Sequence, residues 1–233
     1  MKLRILAIDI GGTGLKAAVI DRRGHMLADH VHMPTPYPCP PKVMLDALVS
    51  LVKPLPAFNR IAIGFPGVVR GNSVLTAPHY GTRRWAGFPL ADALSRRLGG
   101  HPARVINDAE MQGFAAVRGK GLELVLTLGT GAGTALFLDG KLTPHLELAH
   151  HPVHKCKTYN EYIGNAALKR AGRKRWMKRV VKVIAILESL IHYDRLYIGG
   201  GNSRKLKGRL PRGVTRVSNN DGIEGGAALW SRY

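Results

Sequence analysis

The chain has 233 residues, 45% of them hydrophobic, enough for one large or two small domains, each with its own core. Lysine and arginine outnumber aspartate and glutamate 35 to 15, and the resulting +20 formal charge exceeds what solubility asks for and points to a polyanionic partner. The only cysteines, Cys39 and Cys156, exclude a disulfide framework and a four-cysteine zinc site, and no window reaches the length of a membrane span, so a reducing, cytoplasmic setting without a membrane partner is expected.

Residues 3–10 read as a strand and 15–20 as a second one, ending at the turn Asp21-Arg22-Arg23-Gly24. The link between them, LAIDIGGTGLKAAVI (6–20), ends an apolar strand on Asp9 just before a cluster of glycines. Such a cluster lets backbone approach a phosphate, which a bare carboxylate repels; a divalent cation between the two resolves the conflict. Gly12-x-Gly14-x-x-Ala17 formally fits the dinucleotide fingerprint, but that motif must open a helix, and 15–20 is β-rich. No Walker-type G-x-x-x-x-G-K-[ST] occurs. A hairpin that grips phosphate remains.

A loop, PTPYPCPP (34–41), leads to a helix at 42–52, then a strand RIAIGFPGVV (60–69) with a Gly-Pro-Gly kink. The segment 87–98 reads as helical, and the strand ARVI (103–106) stops at Asn107-Asp108 before a helix at 109–118. Two readings of that pair stand side by side. Asp and Asn are preferred helix N-caps, and an Asp at a strand end is also placed to take a proton from an attacking hydroxyl.

LELVLTLGTGAGTALFLDGKL (122–142) then repeats the opening architecture of strand, Gly/Thr turn and strand. Two such hairpins could hold a phosphate chain from two sides. In the loop LELAHHPVH (146–154), Glu147 and His150 stand three apart, near enough to share one ligand, and sugar hydroxyls suit a Glu–His pair. His150, His151, His154 and Cys156 raise zinc as well, though one cysteine and irregular spacing speak against it. Helices at 159–171 and 173–192, a strand at 195–201, a basic loop and a last helix at 222–232 complete the chain.

Much of the charge lies in KRAGRKRWMKRVVK (169–182) and RKLKGRLPRGVTR (204–216). In the first, Trp176, Val180, Val183, Leu187 and Ile191 recur at helical spacing with Lys174, Arg175, Lys178 and Lys182 mostly opposite. A solvated helix face and a polyanion surface both satisfy that pattern. The expected division is one α/β lobe over 1–108 and another over 109–221, with the C-terminal helix 222–233 returning to the first.

DIGGT at 9–13, GFPG at 64–67, NDAE at 107–110, LGTGAG at 128–133, E-L-A-H at 147–150 and GGG at 199–201 occur in the order seen in ROK-family sugar kinases, and the chain resembles that family over nearly its whole length. NNDGIEGGAAL (219–229) is most similar to its polyphosphate/ATP glucokinase branch. The resemblance implies an α/β fold of the actin/hexokinase-like (ribonuclease H-like) type with duplicated strand–Gly turn–strand phosphate hairpins. It implies transfer of a phosphoryl group from ATP or polyphosphate to the 6-hydroxyl of glucose or a related hexose, with Mg²⁺ and, in all expectation, a homodimer.

By the same resemblance Asp9 holds the Mg²⁺ shell, and Gly12, Thr13 and Lys16 approach the transferring phosphoryl. Gly129, Thr130 and Gly131 resemble the second phosphate loop, and Gly200 and Gly201 the adenosine-side glycines. Asn107 binds a sugar hydroxyl, Asp108 is the base for the 6-hydroxyl, Glu147 and His150 read hydroxyls near the anomeric end, and Glu161 corresponds to a further sugar-binding Glu. Three departures stand out. His79 replaces an asparagine, Ala149 replaces the glycine of E-x-G-H, and the family's CxCGxxGC segment is reduced to Cys156, so no structural zinc is expected. A sugar-sensing repressor would carry a helix-turn-helix ahead of a strand that here begins at Leu3, and nucleic acid is not an expected partner. A sugar-binding protein with little catalysis and a simple polyanion binder are the alternatives.

Overall fold

The computed structural model describes residues 2–218 and 221–231, so Asn219 and Asn220 of the C-terminal motif, and the last two residues of the helix expected at 222–233, lie outside the described residues. The chain divides into two compact units, Met1–Ala115 with Asn220–Tyr233, and Ala116–Asn219.

The first unit is built on a five-stranded sheet in the order β3-β2-β1-β4-β7. Its strands are β1 (Ile5–Ile10), β2 (Gly14–Ile20), β3 (Val31–Pro34), β4 (Arg60–Phe65) and β7 (Ala103–Asn107); the short β5 (Val69–Arg70) and β6 (Ser73–Val74) pair separately. β1, β2 and β3 form an antiparallel meander, and β4 and β7 add in parallel beyond β1. Strand side chains alternate between faces. One face of β1 therefore presents Leu6, Ile8 and Ile10, which join the core built with α1 (Pro41–Val52) and α3 (Leu90–Arg97). A short α2 (Thr82–Trp85) adds the fully buried Trp85, whose indole N–H donates to the Cys39 carbonyl at 3.1 Å. The other face carries the small Ala7 and Ala62, and this lets backbone approach closely. The returning C-terminal segment, α8 (Asp221–Glu224) and a 3₁₀ stretch Gly225–Trp230, lies there: a Cβ on Gly226 would stand 3.0 Å from the Ala7 Cβ, and one on Gly225 would overlap the Met111 carbonyl of α4 (Asp108–Ala116).

The second unit repeats the plan in the order β10-β9-β8-β13-β14. Here β8 (Leu122–Leu128), β9 (Ala132–Leu138) and β10 (Lys141–Leu142) form the antiparallel meander, and β13 (Arg195–Gly199) and β14 (Val214–Arg216) add in parallel beyond β8. The likeness read between the two hairpins thus extends to each whole sheet. A small hairpin of β11 (Pro152–His154) and β12 (Lys157–Thr158) precedes α5 (Tyr159–Ile163), α6 (Asn165–Ala171) and α7 (Arg173–Ile191). α7 buries Trp176, Val180, Val183, Ile184 and Leu187 against Leu124, Leu126, Leu196 and Ile198. Each such aliphatic side chain contributes roughly 1.5–3 kcal/mol by leaving water.

Candidate active site

In the first unit Asp9 stands at the carboxyl end of β1, in register with Lys16 on β2 and Gly64 on β4. Ligands of open parallel sheets gather at this end of the strands. Directly opposed residues of an antiparallel pair share a face, which places the Lys16 ammonium beside the carboxylate. Burial pushes the Asp9 carboxyl above its usual range, and Lys16 pulls it partly back. A carboxylate so placed gains from a cation. A Cβ on Gly222 would come within 3.2 Å of Asp9 Oδ2, so the C-terminal segment lies close over the carboxylate and a side chain there would crowd it.

The turn after Asp9 is tight. The Gly11 N–H donates to the Gly14 carbonyl at 2.9 Å, and a Cβ on Gly11 would meet that oxygen at 2.8 Å. The hydroxyls of Thr35 and Tyr80 both donate to the Gly11 carbonyl, at 2.7 and 2.8 Å, and fix the turn from the other side. Burial raises the Tyr80 phenol well above its ordinary range, and the charges of Cys39, Asp108 and Asp9 raise it further, so it remains a donor. Thr13, at the tip, is exposed.

Asn107 and Asp108 divide the work that the sequence left open. The Asn107 side-chain oxygen accepts from the Ala109 N–H at 2.8 Å and the Glu110 N–H at 3.4 Å, while the Glu110 carboxylate accepts from the Asn107 N–H at 3.1 Å. This reciprocal capping starts α4. The Asn107 amide donates to the Gly67 carbonyl at 3.1 Å, and the residue is buried. Asp108 is half-buried on the first helical turn, where its Oδ1 accepts from the Ala109 N–H at 2.9 Å. A Cβ on Gly64 would lie 3.4 Å from the Asp108 Cα, which ties the glycine of the GFPG kink to the start of this helix.

In the second unit the turn 129–131 is held on two sides. Asn160 Oδ1 accepts from the Ala132 N–H at 2.7 Å, and the Asn165 N–H donates to the carbonyls of Gly129 and Thr130 at 3.1 and 3.2 Å. From the other side the Asn202 amide donates to the Gly129 carbonyl at 3.1 Å. Gly200, at φ +78°, lies against Leu128 so closely that a Cβ would be 2.5 Å from its carbonyl oxygen. Gly129 and Gly201 differ: a Cβ on either would meet nothing within 4 Å. The protein's own packing does not require glycine at either position.

Glu147 Oε1 accepts from the Ala149 N–H at 2.9 Å, and His145 lies 3.6 Å from its other oxygen. Burial alone would raise the Glu147 carboxyl; the His145 contact, the Ala149 N–H and the charges of His145 and His150 outweigh it and hold the group below its ordinary range. His150 is exposed in the same loop. Ala149 has no left-handed backbone, so the residue that replaces a glycine is unstrained. Glu161 is occupied otherwise: its carboxylate accepts from the Thr158 N–H at 2.9 Å in the capping box of α5.

Over residues 5–151, more than half of the chain, the sequence matches the model of the ROK family. The chain belongs to the ROK family. A polyphosphate glucokinase of Mycobacterium tuberculosis (strain H37Rv) is 31% identical over 235 residues, covering 94% of this chain and 88% of the relative. An N-acetylmannosamine kinase of Shigella flexneri is 38% identical over 145 residues, 60% of this chain and 49% of its own length. Among solved structures, the inorganic polyphosphate/ATP-glucomannokinase of Arthrobacter sp. strain KM superposes with a TM-score of 0.86 at 29% identity, over 98% of both chains. A ROK family glucokinase of Streptomyces griseus, solved with glucose and AMPPNP, gives 0.82 at 21% identity over 97% and 98%. The fold is the actin/hexokinase-like α/β type expected from the resemblance.

Placed on this ROK chain, Asp9, Gly12, Thr13, Lys16, Asn107 and Asp108 gather at one end of the first sheet, and Gly129, Thr130, Gly131, Gly200 and Gly201 at the turns of the second unit. Sequence reasoning missed Thr35, Tyr80, Asn160, Asn165 and Asn202. Only Asn202, directly after the GGG run, carried a local signal; the others hold the turns from distant segments.

Proposed function

We propose that this ROK protein is a hexose kinase of the glucokinase type, moving a terminal phosphoryl group from ATP or polyphosphate to the 6-hydroxyl of glucose or a related hexose. The carrying observation is that Asp9, at the carboxyl end of β1, and Asp108, on the first turn of α4 directly after β7, stand at the same end of the first sheet, while Asn107 takes the reciprocal cap. The reciprocal cap of α4 is thus made by Asn107 and Glu110 and does not need Asp108. In the proposed reaction its carboxylate accepts the proton of the 6-hydroxyl as that oxygen attacks phosphorus, and the bridging P–O bond breaks to release ADP or a chain shortened by one phosphate.

Transfer of this kind is mostly positioning and charge neutralisation. Within the first unit, the turn 11–14 is proposed to approach phosphate through the N–H groups that its own Gly11–Gly14 bond leaves over, with Lys16 to balance charge. Within the second, the turn 129–131 is proposed to approach phosphate likewise beyond its Gly129–Gly131 bond, and Gly200 and Gly201 to admit a nucleotide. Glu147, kept ionised, accepts from sugar hydroxyls, and His150 joins it. Asn107 is proposed to reach a hydroxyl only with what its cap leaves over, and Glu161 only if its capping box opens. A single buried oxygen donor such as Asp9 fits Mg²⁺, which commonly binds through one or two carboxylates, water and substrate phosphates. When bound, it would supply neutralisation of phosphate charge.

No helix among the described residues is long and apolar enough to cross a membrane. Cys39 and Cys156 are free thiols, the latter exposed, which supports a reducing, cytoplasmic setting. A homodimer completes the proposal on the family resemblance. A coupled assay crossing several hexoses with ATP and polyphosphate tests the reading: hexose-dependent product with at least one donor supports it, and none with any pair contradicts it.

A further inference from the structure

One cavity of the second unit is lined by none of the residues placed in the proposed reaction. Its volume is about 420 Å³, and it opens between α7 and the β11–β12 hairpin. Arg175, Lys178, Arg179 and Lys182 line it from α7, and Lys155 and Lys157 from the hairpin beside His154 and Tyr162. The four positions on α7 follow the i, i+3, i+4, i+7 spacing of one helix face. Like charges at that spacing repel, and no carboxylate lines the cavity to offset them.

Two further observations describe how these cations sit. Arg179 is half-buried, and its Nη1 is enclosed without a hydrogen-bond partner. Lys182 Nζ lies 3.2 Å from His154 Nδ1, a contact that requires neutral imidazole. Burial holds the His154 pKa below its ordinary value, and the charges of Lys182, Lys155, Lys157 and Arg179 lower it further. The hairpin turn supports the arrangement at a cost: Lys155 and Cys156 both adopt left-handed φ, at 45° and 59°, where glycine or asparagine is usual.

We propose that this cavity is a holding subsite for an inorganic polyphosphate chain, separate from the glycine turn of residues 129–131. Six Lys/Arg cations without a carboxylate suit a linear chain that carries charge on every unit. A single-stranded nucleic acid would need a free aromatic face for its bases. The one aromatic side chain of phenol or indole type here, Tyr162, has none to offer: it is buried, the Arg179 guanidinium sits 5.2 Å from its ring centroid, and the His154 ring lies tilted against it at 5.1 Å. Tyr162 shares α5 with Asn160, which holds the Gly131–Ala132 turn. A chain retained in the cavity therefore raises the effective concentration of phosphate in the unit that carries that turn. What becomes of the held chain rests on the kinase reading; the binding does not.

The test compares the full-length protein with K178Q/K182Q and with K169Q/K174Q, a pair of exposed lysines of the same tract outside the cavity. Fluorescence anisotropy of end-labelled long-chain polyphosphate is read without sugar over a salt series. Binding should weaken on the order of tenfold in K178Q/K182Q, and the log K against log salt slope should fall by about 0.7 for each cation removed. The control pair should keep most of both. Unchanged binding in K178Q/K182Q, or an equal loss in the control pair, overturns the subsite. Displacement of the chain by inorganic phosphate at equal phosphate concentration, or by single-stranded DNA of equal charge at lower concentration, overturns the occupant. Activity separates this inference from the kinase reading: a wild-type protein that phosphorylates no hexose with either donor contradicts that reading, while the anisotropy series still decides the subsite.

Discussion

The Asn107 side chain accepts from two N–H groups at the start of α4 and donates to the Gly67 carbonyl, so truncating it removes a cap and strands a buried carbonyl. Asn107→Ala should therefore lose stability, about 1 kcal/mol for the cap alone, read as a melting temperature lower by a few degrees. Asp108→Asn keeps the shape but cannot take a proton. Its turnover should fall on the order of 10²–10⁴-fold while calorimetry still detects glucose binding. If Asp108→Asn keeps its rate and only melts lower, Asp108 serves the helix and not the chemistry. Both residues were visible in the sequence at a strand–helix junction, but Asn and Asp cap equally well, so composition could not say which one did. The one-residue register of α4 decides it.

At the scale of elements, the two glycine turns make a prediction that separates folding from binding. Gly200→Ala forces a side chain into the Leu128 backbone from a left-handed φ and should lower the thermal midpoint sharply. Gly129→Ala and Gly201→Ala meet open space, so they should melt like the wild type and instead raise the donor's apparent KM. A normal donor KM in both would place the donor elsewhere. Glu123 is a second element-scale test. Fully buried on β8, it accepts the N–H groups of Arg118, Gly119 and Lys120 at 2.9, 2.7 and 3.2 Å and the Tyr197 hydroxyl at 2.7 Å. Burial alone would raise its pKa, but these four bonds hold it below the ordinary 4.5. The unfolded chain then binds protons more readily, so this stabilisation is present above pH 4.5 and is lost as pH falls through the lower folded value. Glu123→Gln should cost about 1–3 kcal/mol at neutral pH and lose less on acidification than the wild type, as read from denaturant midpoints. The strands β1, β2, β4, β7, β8, β9 and β13 were legible because long apolar runs end in turn signals. β3 and β14 were not: VHMP and VTR are short edge strands whose order comes from pairing to β2 and β13. The C-terminal segment, expected as one helix, changes to 3₁₀ at Gly225, where its glycines press onto Ala7 and Met111.

For the whole molecule, the sequence announced the +20 charge and the tract 169–182 that supplies four cations of the cavity, but not the hairpin lysines that join them. The segment 152–158 read as loop; folded into a hairpin, it brings Lys155 and Lys157 to the same cavity as four cations of α7. Counterion release from a polyanion makes a salt prediction: polyphosphate-driven turnover should fall steeply with ionic strength, and ATP-driven turnover, with few charges at stake, far less. Parallel salt dependence for the two donors would assign the charge to solubility alone. The central claim, transfer of a phosphoryl group to a hexose hydroxyl, is met most directly by ³¹P NMR of the wild-type protein incubated with glucose, Mg²⁺ and either ATP or polyphosphate. The account predicts a growing hexose 6-phosphate resonance matched by ADP or by shortened chains, and absent with Asp108→Asn. Inorganic phosphate as the sole product, or a sugar phosphate formed equally well by Asp108→Asn, would contradict it.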